Sequence, residues 1–187
     1  MGANANWFIA LPVDAGALPA GTLSGLPAGL QCLHPEDLHV TVAFLGALGE
    51  PRALSVWQEI AGLETDAFTV HSGARAALGN PRRPSAYGLD LMGGKTFVAW
   101  LGHWRDRLHD AAGLERETRA LRPHVTLARP PRRAGKVNRQ CADAWLHQDP
   151  PESVALRLDR IALYSAAGRA SKRRYREVQT YALTRAE

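Results

Sequence analysis

The chain has 187 residues, 45% of them hydrophobic and 22% charged, proportions that fit a folded domain and exclude an intrinsically disordered one. A chain of this length buries a sizeable core without covalent staples. Its two cysteines, Cys32 and Cys141, are too few for a disulfide framework or a zinc site and are expected as free thiols in a reducing compartment. The net charge of +5 is modest but local: residues 118–142 hold seven Lys/Arg and no acid, which leaves the rest of the protein at −2.

The first 51 residues contain no Lys or Arg, so neither a secretory nor a transit signal is expected, and the expected location is cytoplasmic. No apolar run reaches the length of a membrane span, so no membrane partner is expected. Besides the seven cations (Arg119, Arg122, Arg129, Arg132, Arg133, Lys136, Arg139), two smaller clusters occur. One is Arg75, Arg82 and Arg83; the other is Arg169, Lys172, Arg173, Arg174 and Arg176. Basicity confined to segments suits a phosphate or polyanion site, with solvated loops as the alternative for any one cluster.

In chain order, 7–11 reads as a buried strand closed by Pro12, and 14–28, rich in Ala, Gly and Pro, supports at most a short helix. Residues 38–45 alternate as a strand. Pro51 then opens a helix with an apolar stripe at Leu54, Trp57 and Ala61, which Gly62 stops. Strands are expected over 68–78 and 86–91, around the Pro-Arg-Arg-Pro loop at 81–84. The best helix is 95–112, with Phe97, Leu101, Trp104, Leu108 and Ala111 on one face, His103, Arg105, Asp106, His109 and Asp110 on the solvated flanks, and Gly113 at the C-cap. A strand at 123–128, a weak helix at 137–146 and strands at 154–164 and 174–183 complete the pattern. Helices and strands do not alternate regularly, so an α+β fold with antiparallel sheet is favoured.

A short internal repeat stands out: His39-Val40-Thr41-Val42-Ala43 recurs as His124-Val125-Thr126-Leu127-Ala128. Given seven His and nine Thr, a single His-x-Thr is expected roughly 0.3 times by chance, so two copies in matching context carry a signal that one would not. On a strand, residues two apart share a face, so each copy presents an imidazole beside a hydroxyl. Two imidazoles facing each other can take one proton from an attacking oxygen and give one to a leaving oxygen, while the hydroxyls hold phosphate oxygens. The motif offers none of the carboxylate oxygens that magnesium prefers, so neither a metal nor any other cofactor is expected; two His alone rarely hold zinc.

The tandem His-x-Thr signature resembles the two-histidine (2H) phosphoesterase superfamily. Five longer strings resemble its RNA 2′,3′-cyclic phosphodiesterases, also called 2′-5′ RNA ligases (LigT/ThpR-like). They are Trp7-Phe8-Ile9-Ala10-Leu11-Pro12, Asp37 through Gly46, Asn80-Pro81-Arg82-Arg83-Pro84, Arg122 through Arg129, and Leu163-Tyr164-Ser165 followed by Tyr175. The resemblance spans nearly the whole chain and implies a bilobal fold: two antiparallel-sheet lobes related by a pseudo-twofold axis around a central cleft, intertwined as one domain over 1–187. It also implies hydrolysis of an RNA-terminal 2′,3′-cyclic phosphate to a 2′-phosphate, with reversible 2′-5′ ligation open. His39 is then the proton donor, His124 the proton acceptor, and Thr41 and Thr126 the phosphate holders. Arg129 is implied as a further phosphate contact. Phe44 is placed either beside the terminal base or inward in the core. Two features depart from the family pattern: a first helical segment more broken by Pro and Gly, and Lys172–Arg174 in place of a more neutral loop. The partner is an RNA 3′ end or a small cyclic-phosphate nucleotide, and nothing demands more than a monomer. Other readings are a small cyclic nucleotide or nucleotide-sugar cyclic phosphate as substrate, and a non-catalytic binder of phosphorylated RNA ends. The loops at Arg82-Arg83 and Lys172-Arg174 fit either an RNA backbone or plain solvation.

Overall fold

The fold, obtained as a computed structural model, describes residues 5–61, 63, 65–80, 82–131, 136–168 and 170–183, with the side chains of 136–139 left out. Among the described residues, nine strands and three α-helices follow one another as β1 (Trp7–Pro12), β2 (Gln31–Cys32), β3 (His39–Gly46), α1 (Glu50–Trp57), β4 (Phe68–Asn80), β5 (Arg83–Met92), α2 (Gly94–Ala112), β6 (His124–Arg129), α3 (Lys136–Leu146), β7 (Ala155–Leu158), β8 (Arg160–Ala166) and β9 (Tyr175–Ala182).

The strands form two antiparallel sheets, ordered β3-β1-β8-β9 and β2-β6-β5-β4-β7. Leaving β2 aside, each sheet is a four-strand run with a His-x-Thr strand at its end. β3 and β6 lie in contact where the two sheets meet. This is the expected bilobal α+β architecture. One contiguous cluster of buried side chains, among them Trp7, Ile9, Val42, Phe97, Val125 and Leu163, draws on both sheets. β1 is buried along its whole length because it pairs with β3 and β8 at once, which suits its unbroken apolar run.

Helix α2 lies across β3 and ends on Gly113, whose φ of 64° lets its N–H and that of Leu114 bond back to Asp110 and His109 carbonyls. Its buried face corrects the sequence reading at two places. Ala112 faces inward instead of Ala111, and His109 is 2% exposed instead of solvated. The 3.6-residue period explains both: 109 stands eight residues from Leu101, and 112 four from Leu108, so each returns beneath the same stripe. In α1 the buried residues are Ala53, Val56 and Trp57, continued by Ile60 in a 3₁₀ turn; Leu54 is half-buried and Ala61 exposed. Gly62, expected to stop this helix, lies outside the described residues.

The segment expected as one strand over 154–164 is two. β7 pairs with β4 in one sheet, and after Asp159 the chain crosses so that β8 pairs with β1 in the other. Burial alternates along β7 and then runs unbroken from Ile161 to Ser165, the change from a one-sided edge strand to a strand inside a sheet. Between 14 and 28 only Ala15–Ala17 forms a 3₁₀ turn, capped by Asp14 Oδ1 accepting the Gly16 N–H at 2.9 Å. The two-residue β2 was not foreseen; it covers the outer edge of β6.

Candidate active site

Equivalent irregularities place the two motifs. On β3, Ala10 of β1 pairs with Thr41 and Ile9 with Ala43, leaving Val42 unmatched. On β6, Gly88 of β5 pairs with Thr126 and Tyr87 with Ala128, leaving Leu127 unmatched. A bulge after each threonine shifts the alternation by one residue. Val40, Val42, Ala43 and Leu45 are therefore buried on β3, while His39, Thr41 and Phe44 keep open positions; Val125, Leu127 and Ala128 repeat this on β6, with His124, Thr126 and Arg129 open. Phe44 and Arg129 occupy the same place in the two copies. Thr41, Phe44, His124, Thr126 and Arg129 line one cleft of about 600 Å³. His39 adjoins it, near enough for the charges of His124 and Arg129 to act on its ring.

Both imidazoles are anchored alike. His39 Nδ1 donates to the Asp37 carbonyl at 2.7 Å and His124 Nδ1 to the Arg122 carbonyl at 2.7 Å, each residue standing two before its histidine. A carbonyl can only accept, so the neutral ring carries its proton on Nδ1 and leaves Nε2 free for proton transfer. The side chains of the two anchors are tied down as well. The Asp37 carboxylate, 1% exposed, accepts the backbone N–H groups of Arg174 at 2.7 Å and Tyr175 at 3.3 Å and lies 3.5 Å from the Arg173 guanidinium. Arg122 grips the Asp90 carboxylate with two donors, at 2.7 and 2.9 Å, and reaches the Ala77 carbonyl.

The surroundings differ. His39 sits among Phe8, Tyr164 and Tyr175, with ring centroids 4.8, 5.7 and 5.6 Å away, Tyr175 edge-on. Burial among these rings pulls its pKa down to about 4, against the opposing pull of Asp37 through its carbonyl and its charge. His124 has no such cage and opens onto the cleft. Phe44 is 49% exposed, which decides against the inward core position. The Nε of Arg129 is buried with no hydrogen-bond partner, as expected of a guanidinium held ready for an anion. Thr41 and Thr126 bring their hydroxyls to the same cleft.

The sequence reading did not single out Asp37, Phe8 or the ring contacts of Tyr164 and Tyr175. It also read Arg105 as surface, whereas Arg105 and Arg119 line the cleft. Arg173 and Arg174 are engaged within the protein, with Glu36 and Asp37 and with Gln31. Arg75 is held by the Asp149 carbonyl and lies over Trp145. Arg132, Arg133 and Arg169, and the side chains of Lys136 and Arg139, lie outside the described residues. Among the described residues, no group of three or more His, Cys, Asp or Glu is placed to hold a metal ion, and no helix is long and apolar enough to cross a membrane.

No protein-family model matches the chain. Among curated proteins, an RNA 2′,3′-cyclic phosphodiesterase of Bacillus subtilis is 30% identical over 130 residues, 66% of this chain and 70% of that one. The chain belongs to the RNA 2′,3′-cyclic phosphodiesterase family. A second relative of that name, from Aeropyrum pernix, is 26% identical over 106 residues, which span 57% of this chain and 59% of the relative's length. Among solved structures, Escherichia coli LigT complexed with 3′-AMP superposes with a TM-score of 0.69 at 18% identity, over 97% of this chain and 99% of that one. LigT complexed with NADP+ gives 0.68 at 18% identity and the same coverage. These likenesses confirm the family's two-lobed fold over nearly the whole chain.

Proposed function

We propose that the protein hydrolyses a 2′,3′-cyclic phosphate at an RNA 3′ end to a 2′-phosphate. The observation that carries this reading is the pairing of two identically anchored imidazoles, each beside a threonine, from two sheets at one cleft. Membership of a family whose curated relatives bear that activity's name supports it.

His124, open to cleft water, takes a proton from the attacking water through its free Nε2 as the new P–O bond forms. The bond from phosphorus to the 3′ oxygen breaks, and His39 gives its proton to that oxygen. A 3′ hydroxyl and a 2′-phosphate result. Asp37 fits His39 for the donor role, because a buried carboxylate beside an imidazole supports its charged form. An anionic phosphate entering beside His39 adds a second negative charge in favour of its proton, against the burial that lowers its pKa. Thr41, Thr126 and Arg129 hold the non-bridging oxygens, and Phe44 offers a ring face to the terminal base. Ligation uses the same groups: the 5′ hydroxyl of a second RNA attacks phosphorus in place of water and gives its proton to His124, the bond to the 3′ oxygen breaks and His39 protonates that oxygen, leaving a 2′-5′ linkage and a 3′ hydroxyl.

Product identity tests the assignment. A 2′-phosphate is expected; a 3′-phosphate overturns His39 as donor to the 3′ oxygen. Folded His39→Ala and His124→Ala proteins should each lose about 10²–10⁴ in kcat. Wild-type rates in both would sink the reaction itself and leave a binder of phosphorylated ends.

A further inference from the structure

The cleft does not stop at the histidines. It continues along the outer half of the β4–β5 hairpin, where Leu78, Gly79, Ser85 and Ala86 line it. Leu78, Ala86 and Ala76 form a small buried cluster separate from the main core. Leu78 and Ala86 are cross-strand partners, and Gly88, paired with Thr126, is two residues along β5 from Ala86 on the same face. Beside Leu78, the lining leading away from Thr126 is thus built of the small residues Gly79, Ser85 and Ala86, which leaves a trough instead of a wall. The same cleft is lined by Arg105, Arg119 and Arg122, three cations against the one carboxylate of Glu117 among its lining residues.

At the far end of the hairpin stand Arg82 and Arg83, both exposed. Neither guanidinium, nor that of Arg119, has an acidic partner among the described residues, in contrast to Arg122 and Arg173, which do. Arg105 is committed to Asp106 and to the Arg119 carbonyl. The cations left without a partner along this path are therefore Arg119 in the wall and Arg82 and Arg83 at the tip. An anion repeating along the path would meet them in turn.

We propose that this trough is the track of the RNA strand leading away from the cyclic phosphate, with Arg119, Arg82 and Arg83 contacting successive backbone phosphates. The inference rests on the reaction given above and names its substrate class: an oligonucleotide end in preference to a mononucleotide. Arg83 is five residues along β5 from Gly88, which at a rise of ~3.3 Å per residue puts it about 16 Å from Thr126. At the duplex spacing of ~3.4 Å per nucleotide that is about five nucleotides, and fewer when the strand is extended. A single strand suits the site better than a duplex, because the trough lies between two lobes and begins at a terminus.

The test compares a 2′,3′-cyclic mononucleotide with a hexanucleotide ending in the same group. kcat/KM is measured for wild type, Arg82→Gln/Arg83→Gln and Arg119→Gln between 50 and 200 mM salt. Wild type should prefer the hexanucleotide. Its dependence of log kcat/KM on log salt should carry about 0.7 per phosphate contacted, so the double variant should lose about 1.4 from that exponent and Arg119→Gln about 0.7. The ratio of hexanucleotide to mononucleotide kcat/KM should fall in both variants. Equal rates on the two substrates, or exponents and ratios unaltered by either variant, would overturn the track while leaving the reaction standing. Failure of wild type to open either substrate would instead overturn the reaction. A variant that loses both substrates in proportion keeps the ratio constant and counts against the track.

Discussion

The aromatic cage around His39 makes a quantitative prediction about stability. In the folded protein this imidazole titrates at about 4, against 6.5 for an unhindered histidine. Between those values the unfolded chain binds a proton that the native protein refuses, so stability rises with pH across the window. The contribution is complete above about pH 6.5 and is lost as pH falls through the window toward 4. A gap of about 2.5 pH units at 1.36 kcal/mol each amounts to about 3 kcal/mol, an upper bound because the protein can relax around a charged ring.

Urea unfolding at a series of pH values, for wild type and His39→Gln, isolates this effect from the carboxylates that both proteins share. At neutral pH the variant should be the less stable, having lost ring packing against Phe8 and Tyr164. On acidification, the wild-type advantage should shrink by up to about 3 kcal/mol. With a urea slope of ~2 kcal/mol/M, that is a relative loss of about 1.5 M in midpoint. Saturating inorganic phosphate should move the His39 titration upward in NMR, since an anion in the cleft supports the charged ring. Parallel pH curves for the two proteins would refute the account of His39 as an imidazole kept neutral by its cage.

Three further outcomes follow from the same geometry. Phe44→Ala should change unfolding free energy by no more than about 0.5 kcal/mol, because the ring is half-exposed, yet raise KM about 5- to 150-fold if the ring stacks on a base; an unchanged KM removes Phe44 from the binding site. Gly88→Ala should lower the melting temperature by about 2–12 °C, because a β-carbon there would collide with the Val125 carbonyl at the β6 bulge. An unaltered melting curve would contradict that close approach. Asp37→Asn should lower kcat more than it raises KM and move the alkaline limb of the pH–rate profile down, since His39, the proposed donor, loses a neighbouring negative charge that favours its protonated form; a pH profile identical to wild type would reduce Asp37 to a purely structural role.

Much of this was legible before the fold was known, because the repeat and the strand period together place imidazole and hydroxyl on one face. The period misleads just beyond each threonine. Strict alternation puts Phe44 on the face opposite Thr41 and Arg129 opposite Thr126, and only the unmatched Val42 and Leu127 bring them back. A bulge is a property of the strand pair and is not written in either strand alone. The split at Asp159 was missed, since 154–164 was read as one strand, although the pattern carries its trace: Ala-Leu-Arg-Leu alternates and Ile-Ala-Leu-Tyr does not, a change from edge to interior within one segment. Basic clusters could not be sorted from sequence, because whether Arg173 faces RNA or Asp37 depends on a contact across more than 130 residues. The histidine anchors were hidden for another reason: they act through backbone carbonyls, which every residue type possesses.

A repeat that built two identical half-sites would be a poor catalyst of a reaction in which one imidazole must accept a proton while the other gives one. The backbone device is the same in both copies: a bulged strand and an Nδ1–H held by the carbonyl two residues earlier. The difference comes from residues outside the motif. On the β3 side the anchoring residue is acidic, buried and tied to the 173–175 segment, and the ring is enclosed by Phe8, Tyr164 and Tyr175. On the β6 side the anchoring residue is Arg122, paired with Asp90, and the ring stands open to the cleft. The proposed donor is thus the imidazole with its own carboxylate and no ready access to bulk water, and the proposed acceptor is the one that water can reach. The specificity of the chemistry therefore resides in the two residues that precede the repeated motif as much as in the motif itself.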